Sequence, residues 1–186
     1  PEVIETLYSP IECVIHNTRA SVELREKRHL FLTDKTYAAM KGYAFSQIAR
    51  MQKKDPKDSS ERKALMERFG FDTKYASHAV RLLLEAEMVL KECDLDLRRH
   101  SEFTMDIRNG RYSKEEVLQF ANEKEKELIA YKTTKLPKYA DRDAIRQILL
   151  NCLESHYGTL AGCVQNADKN LQALTNIRLE LEKIGL

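Results

Sequence analysis

Features that interrupt regular structure are rare in this sequence. Its 186 residues include only six glycines and four prolines, and tryptophan is absent. Because glycine and proline commonly interrupt or end helices and strands, we expect this chain to form long secondary-structure elements. No apolar run approaches the roughly 20 residues that a membrane-spanning helix needs, and no signal peptide is recognised, so we expect no membrane segment.

Cysteine usage and net charge narrow the class of protein further. The cysteines are widely spaced and form no CxxC pair, which argues against a zinc knuckle and against a disulfide framework. We therefore expect a reducing, cytoplasmic location. The formal net charge is only +2, which excludes a strongly basic nucleic-acid coat and requires any anion site to be a local patch. The four cysteines are Cys13, Cys93, Cys152 and Cys163.

Apolar and charged residues recur mostly at helical spacing. No alternation of strand and helix patterns is present, so a parallel sheet is not expected. The sequence therefore predicts a mainly α fold, a multi-helix bundle with at most one or two short strands. The best strand candidate lies within residues 93–99, where Asp94, Leu95, Asp96 and Leu97 alternate.

Capping residues and apolar periodicity place the helices. We predict helices over residues 3–8, 18–27, 35–53, 61–69, 72–90, 101–109, 114–131, 141–153 and 166–184. The inward positions of the 114–131 helix are assigned to Val117, Phe120, Ala121, Leu128 and Ile129. The apolar stripe of the last helix is assigned to Leu171, Leu174, Ile177, Leu181 and Ile184. Gly42 falls inside a helix, where glycine often marks a close approach of another backbone or a ligand.

The helix over residues 72–90 is the most apolar, and its composition predicts burial. Lys74, His78, Arg81 and Glu85 fall within an arc of roughly 60° on its surface. We call Lys74, His78 and Arg81 the basic stripe. Because unpaired buried charge is costly, such a stripe is expected to face a partner, a cleft or an anion.

Two interpretations of the basic stripe are open. Lysine and arginine bind phosphate through charge and forked hydrogen bonds, and histidine donates to phosphate or moves a proton. In that case Tyr43, Gln47 and Arg50, at positions i, i+4 and i+7 of the earlier helix, are candidate companions. We call these three the polar stripe. In the alternative, Arg81 pairs with Glu85 and His78 is hydrogen-bonded in the core.

Standard catalytic motifs are absent. The sequence has no GxGxxG, GxxxxGK[ST], GxSxG or HExxH element. Asp94 and Asp96 would share one face of a strand and could hold Mg²⁺, but a solvated strand face is the simpler interpretation. Arg108 and Arg111 flank an Asn-Gly turn and are further candidate anion contacts, but a role as ordinary surface residues is the simpler interpretation.

Five stretches in order resemble one protein family. Residues 1–10 resemble an "NPnxxELLfsP" element, and Phe31-Leu32-Thr33 with Gly42–Gln47 resembles an "FLs…GYAxsQ" helix. Residues 74–83 match "KxaxHlvRLL", residues 107–113 resemble "iRnGxws", and Leu136-Pro137 with Asp141-Arg142 resembles "LPxxpDr". Together they are similar to the C-terminal helical part of predicted nucleotidyltransferases of the DNA polymerase beta superfamily, of the type found with bacterial RNA-repair genes and in phages.

The resemblance implies a function and a division of the chain. Residues 1–155 would be a helical substrate-binding domain, and residues 156–186 an accessory helix for packing or oligomerisation. The enzyme would transfer a nucleoside monophosphate from a nucleoside triphosphate to RNA, a nucleotide or a protein. Its catalytic palm, with a Gly-Ser element and the carboxylates that hold Mg²⁺, would precede Pro1. No catalytic or metal-binding residue is then expected in this chain.

The resemblance also implies roles for individual residues. Lys74, His78 and Arg81 would face the palm and contact the triphosphate or the acceptor. Tyr43 and Gln47 would stack on, or hydrogen-bond to, a base or ribose. An alternative is a non-catalytic helical module that binds an anionic or protein partner, and another is a purely structural bundle.

Overall fold

A computed structural model describes residues 6–53, 59–131, 135–159 and 169–183. Within these residues the chain forms α-helices and short 3-10 turns at Ile11–Cys13 and Arg28–Phe31, with no β-strand. The predicted mainly α, multi-helix fold is thereby confirmed. The helices are α1 (Arg19–Glu26), α2 (Asp34–Met51), α3 (Ser60–Phe69), α4 (Thr73–Glu92), α5 (Ser101–Arg108), α6 (Lys114–Ala130), α7 (Arg142–Tyr157) and α8 (Lys169–Lys183).

The chain divides into two compact units, residues 1–141 and 142–186. The first unit contains α1 to α6, and the second contains α7 and α8. The functional division near residue 155 that the resemblance implies stays a prediction. No helix among the described residues is long and apolar enough to cross a membrane.

Helix α4 is the centre of the first unit, as its apolar composition predicts. It packs against α2, α3, α5 and α6, and 13 of its 20 residues are buried. Of these neighbours, α2, α5 and α6 contribute buried side chains to the same core, and α3 contributes the partly buried Phe69. The core side chains outside α4 include Ala44, Ile48 and Met51 of α2, Ile107 of α5, and Val117, Ala121 and Leu128 of α6.

Side chains at the helix starts satisfy backbone N–H groups that have no partner within the helix. The hydroxyl of Thr18 accepts a hydrogen bond from the Ser21 amide at 3.1 Å. Ser113 and Glu116 form the predicted capping box at the start of α6. Gly70 ends α3 in the left-handed region, with φ of 78°, and the chain then turns directly into α4.

The strand predicted at residues 93–99 is wrong. Cys93 ends α4 with φ of 55°, which turns the chain away from an extended path. The carboxylate of Asp94 then accepts two hydrogen bonds from Arg28, at 2.8 and 2.6 Å, and one from the Leu95 amide. Hydrogen bonds between side chains and the nearby backbone hold a turn here in place of a strand. The alternation of polar and apolar residues over 94–97 therefore reflects the burial of Leu95.

One assignment of an inward-facing residue is also wrong. Ile129 is 62% exposed, whereas its neighbour Leu128 is buried. Consecutive helical residues differ by about 100°, so only one of the two can face the core. In α8, Ile177 and Leu181 are exposed within their own unit. The side chains of Leu171, Leu174 and Ile184 lie outside the described residues.

Two glycines offer a matched test of the backbone. No atom of the described residues lies within 4 Å of the Cβ position of Gly42, so no protein group makes the close approach that was considered. At Gly110, with φ of 76°, a Cβ would overlap the ring of Phe69. We expect Gly42→Ala to stabilise the fold by up to about 1 kcal/mol, because alanine is the better helix former.

Gly110→Ala is expected to have the opposite effect. It should destabilise the fold by at least about 1 kcal/mol, since left-handed backbone is unfavourable for alanine and the Phe69 ring must also move. Urea unfolding of the two variants measures both changes. Equal stabilities would contradict the assigned backbone conformation at Gly110.

Candidate functional site

The largest concentration of predicted site residues lies in one cavity of the first unit, with a volume of about 590 Å³. Residues of α2, α3, α4 and α5 line it. All five sequence-predicted binding residues are among them, so the fold brings both stripes to the same place. The five are Tyr43, Gln47, Lys74, His78 and Arg81.

The two stripes meet through an aromatic contact. The ring centroids of Tyr43 and His78 are 5.6 Å apart, and the rings are nearly perpendicular, at 81°. Because each stripe has the spacing i, i+4, i+7, each helix presents one continuous row of polar groups. The polar stripe of α2 and the basic stripe of α4 therefore form adjoining walls of the cavity.

The cavity is locally positive although the chain is almost neutral. Five lysine and arginine residues line it against two carboxylates, Glu61 and Asp72, an excess of three positive charges. The net charge of the whole chain is only +2. A concave surface of one sign concentrates oppositely charged ligands. The five cations are Arg50, Arg62, Lys74, Arg81 and Arg108.

Asp72 closes the N-terminus of α4. Its side chain is fully buried and accepts hydrogen bonds from the amides of Lys74 and Tyr75, at 3.0 and 3.1 Å. The Nε of Arg62 donates to its other oxygen at 2.7 Å, and the same guanidinium lies over the Tyr75 ring. These bonds occupy the N–H groups that an anion would otherwise use, so a ligand must be held by side chains.

The same bonds bear on metal binding. The Asp72 carboxylate is engaged on both oxygens, and the described residues contain no cluster of three or more His, Cys, Asp or Glu side chains suited to a metal ion. The described residues of the cavity therefore do not fit Mg²⁺. The pair of Asp94 and Asp96 does not form a metal site either, because the Asp94 carboxylate is in an ion pair with Arg28.

Lys74 and Arg81 each lie near one carboxylate. The Nζ of Lys74 lies 3.9 Å from Glu61, and the Nε of Arg81 lies 3.6 Å from Glu85. The Lys74 pair is exposed on both sides, and such pairs contribute little to stability, so Lys74 can reorient toward a ligand at small cost. The Arg81–Glu85 pair of the alternative interpretation is also present, and its carboxylate is buried, so Arg81 is held more firmly.

The protonation state of His78 follows from its contacts. An Nη2 of Arg81 lies 3.3 Å from Nδ1 of His78, and a guanidinium can only donate. Nδ1 is therefore the acceptor, and the proton of the neutral ring is on Nε2. Burial, and secondarily the charge of Arg81, lower the pKa of His78 below its ordinary value of 6.5. His78 is a neutral hydrogen-bond donor at physiological pH.

Gln47 is more buried than the sequence indicates. Its position in the polar stripe suggests exposure, yet only 1% of the residue is accessible. Its Nε2 has no hydrogen-bond partner among the described residues. Nearly all buried polar groups in folded proteins are paired, so this amide is unusual among the side chains of the cavity wall.

The lining extends beyond the two stripes. The sequence gives no binding role to Arg62, Asp72 or Tyr75, which also line the cavity. Arg108 is exposed and lines the cavity, whereas Arg111 pairs with Asp106 at 2.8 Å and is not part of the lining. Nothing in the local pattern distinguishes these two arginines, because their positions depend on how the helices pack.

Comparison of the chain with protein-family models, with curated proteins and with solved structures finds no match. The functional proposal therefore depends on the chemistry of this cavity and on the resemblance seen in the sequence.

The Asp72 contacts predict a stability series. Asp72→Ala removes the cap and leaves Arg62 without this partner, so we expect a loss of about 2–4 kcal/mol in the free energy of unfolding. Asp72→Asn keeps a good capping group and loses only the charge, so its loss should be clearly smaller. Urea unfolding measures both values. Equal losses would show that capping contributes nothing measurable.

The His78 contacts predict a titration. In an NMR titration, His78 should have a pKa below 6.5, and Arg81→Gln should raise it only in part, because burial is the larger cause. Since the folded state binds fewer protons than the unfolded state, the free energy of unfolding should fall as pH decreases through about 6.5. His78→Gln should reduce that fall. A full return to 6.5 in Arg81→Gln would contradict the assigned burial.

Proposed function

We propose that the cavity binds the phosphate groups of a nucleoside triphosphate, and that the chain is the helical nucleotide-binding part of a nucleotidyltransferase. The observation that carries the proposal is the convergence of five lysine and arginine side chains on one cavity. A charged cavity lined by arginine is suited to phosphate, since the guanidinium group matches phosphate oxygens with paired donors.

The remaining lining suits the rest of a nucleotide. The Tyr43 ring is 50% exposed, which leaves a face on which a base can stack. Gln47 offers an unpaired amide donor, and His78 offers Nε2–H. The volume of about 590 Å³ falls within the range of roughly 300–1,000 Å³ that is common for small-molecule sites.

The enzymatic part of the proposal is supported by the sequence resemblance. Phosphoryl transfer is catalysed mainly by positioning and by stabilisation of charge, and the cavity would hold and orient the triphosphate. We assign the Mg²⁺-binding carboxylates to a segment outside these 186 residues, because the described cavity does not fit the metal. The acceptor would be RNA, a nucleotide or a protein.

Two accompanying proposals are carried over from the sequence. Residues 156–186 would serve as an accessory element for packing or oligomerisation. A cytoplasmic location is in keeping with the free thiols of Cys13, Cys93 and Cys152.

The proposal predicts the effect of removing either cation of the basic stripe. Lys74→Ala and Arg81→Ala should each weaken binding of ATP, CTP, GTP or UTP by at least about 1 kcal/mol, the scale of one charge-assisted hydrogen bond. Isothermal titration calorimetry measures the change. Lys126→Ala is the matched control, because Lys126 is an exposed residue of α6 outside the cavity and its loss changes the net charge equally.

Unchanged affinity in both stripe variants, with folding intact, would contradict the proposal. Equal affinity for a nucleoside triphosphate and for inorganic triphosphate would favour the non-catalytic anion-binding module over the nucleotide site.

A further inference from the structure

Two of the five cations in the cavity have no side-chain partner among the described residues. Arg62 is bonded to Asp72, Lys74 lies near Glu61, and Arg81 lies near Glu85 and His78. Arg50 of α2 and Arg108 of α5 line the same cavity and are exposed, and neither guanidinium makes a hydrogen bond or ion pair with a described residue.

We propose that Arg50 and Arg108 are the principal phosphate contacts, and that they clamp a chain of two or more linked phosphate groups. This inference depends on the proposed function and deepens it, because it names ligand contacts outside the basic stripe and the part of the ligand that the site selects.

The pairing state of the cations supports this assignment. A ligand that binds Arg62 must compete with the buried Asp72 carboxylate at 2.7 Å. A guanidinium without a carboxylate partner does not have to break an ion pair before it binds an anion. Both guanidinium groups can present two parallel N–H donors to one phosphate group. Of the five cations in the cavity, Arg50 and Arg108 therefore contribute most to the free energy of ligand binding.

The placement of the two arginines supports a chain rather than a single phosphate. They belong to different helices, α2 and α5, and both helices pack against α4, which carries the basic stripe. A ligand that contacts both arginines would also be near the basic stripe, which lines the same cavity. Lys74 and Arg81, about two turns apart on α4, would offer it two further cations.

The unpaired amide of Gln47 is a second, independent observation that points to a ligand. It lies three residues before Arg50 and hence on the same face of α2. The amide is almost fully buried and lacks a partner, and it lines the cavity that Arg50 lines. Its Nε2 is enclosed, so a rotation of the Gln47 side chain toward the cavity would bring this donor to a phosphate oxygen that is bound by Arg50.

Calorimetry of the full 186-residue chain with orthophosphate, pyrophosphate and tripolyphosphate tests the clamp. We expect the affinity to rise with each added phosphate group. Arg50→Gln and Arg108→Gln should each lower the affinity for tripolyphosphate about tenfold or more, the effect of losing one hydrogen-bonded charge. Arg50→Lys and Arg108→Lys keep the positive charge but lose the paired N–H donors of the guanidinium group. Their affinity for tripolyphosphate should lie between that of the wild type and that of the glutamine variants.

Arg111→Gln is the matched control. Arg111 lies three residues from Arg108 and is more than two-thirds exposed, but it is paired with Asp106 and is outside the cavity. The control should bind tripolyphosphate as the wild type does. All substituted positions are exposed, and circular dichroism and urea unfolding verify that each variant is folded.

Three results would overturn the clamp. If Arg50→Gln and Arg108→Gln bind tripolyphosphate normally while Lys74→Ala and Arg81→Ala do not, the proposed function stands and the clamp is wrong. If Arg111→Gln loses as much affinity as Arg108→Gln, binding is a general effect of charge. If neither the nucleotides nor the inorganic polyphosphates bind, both the clamp and the proposed function are wrong.

Discussion

The arrangement of the first unit depends on the buried carboxylate of Asp72. It supplies acceptors for the first free amides of α4 and binds Arg62 of the preceding helix. One side chain thus fixes where α4 starts and how α3 is attached to it. The Gly70 turn, which brings the chain from α3 to α4 within three residues, makes this contact possible. The position of the basic stripe relative to α3 follows from these constraints.

Helix α4 combines a core face with two polar regions at different points along its length. Near its start, the basic stripe faces the cavity. Near its end, Lys91 and Glu87 join Lys124 and Glu127 of α6 in a closed cluster with N–O distances of 2.6–2.9 Å. Lys124 and then Lys91 lower the pKa of Glu127 to about 2. The charges of this cluster are neutralised within the protein, whereas those of the cavity are not.

The sequence predicts those features that depend on local pattern. The burial of α4, the cap at Asp72 and the capping box at Ser113 follow from periodicity and from residue types at helix starts. The shared location of Tyr43 and His78 also agrees with the predicted stripes. The false strand at Asp94 and the exposed Ile129 show the limit of such patterns, because short alternations and helix edges are ambiguous.

Other parts of the site depend on tertiary geometry that no local pattern encodes. Arg108 and Arg111 have the same residue type and the same flanking turn, yet only Arg108 lines the cavity. Likewise, the i, i+4, i+7 spacing placed Gln47 on a polar face but did not indicate that the surrounding helices would bury it. Both outcomes depend on how α2 and α5 pack against α4, which involves residues far apart in the sequence.

The unpaired amide of Gln47 has a consequence for the energetics of the free protein. A buried donor without an acceptor costs about 1–3 kcal/mol, which is a sizeable fraction of the stability of a small domain. An apolar side chain of similar shape would avoid that cost, but it could not recognise a polar ligand. The proposed phosphate site would therefore trade stability of the free protein for recognition of a ligand. If a ligand supplied the missing acceptor, its binding would add to the stability of the fold, and folding and binding would be thermodynamically coupled at this residue.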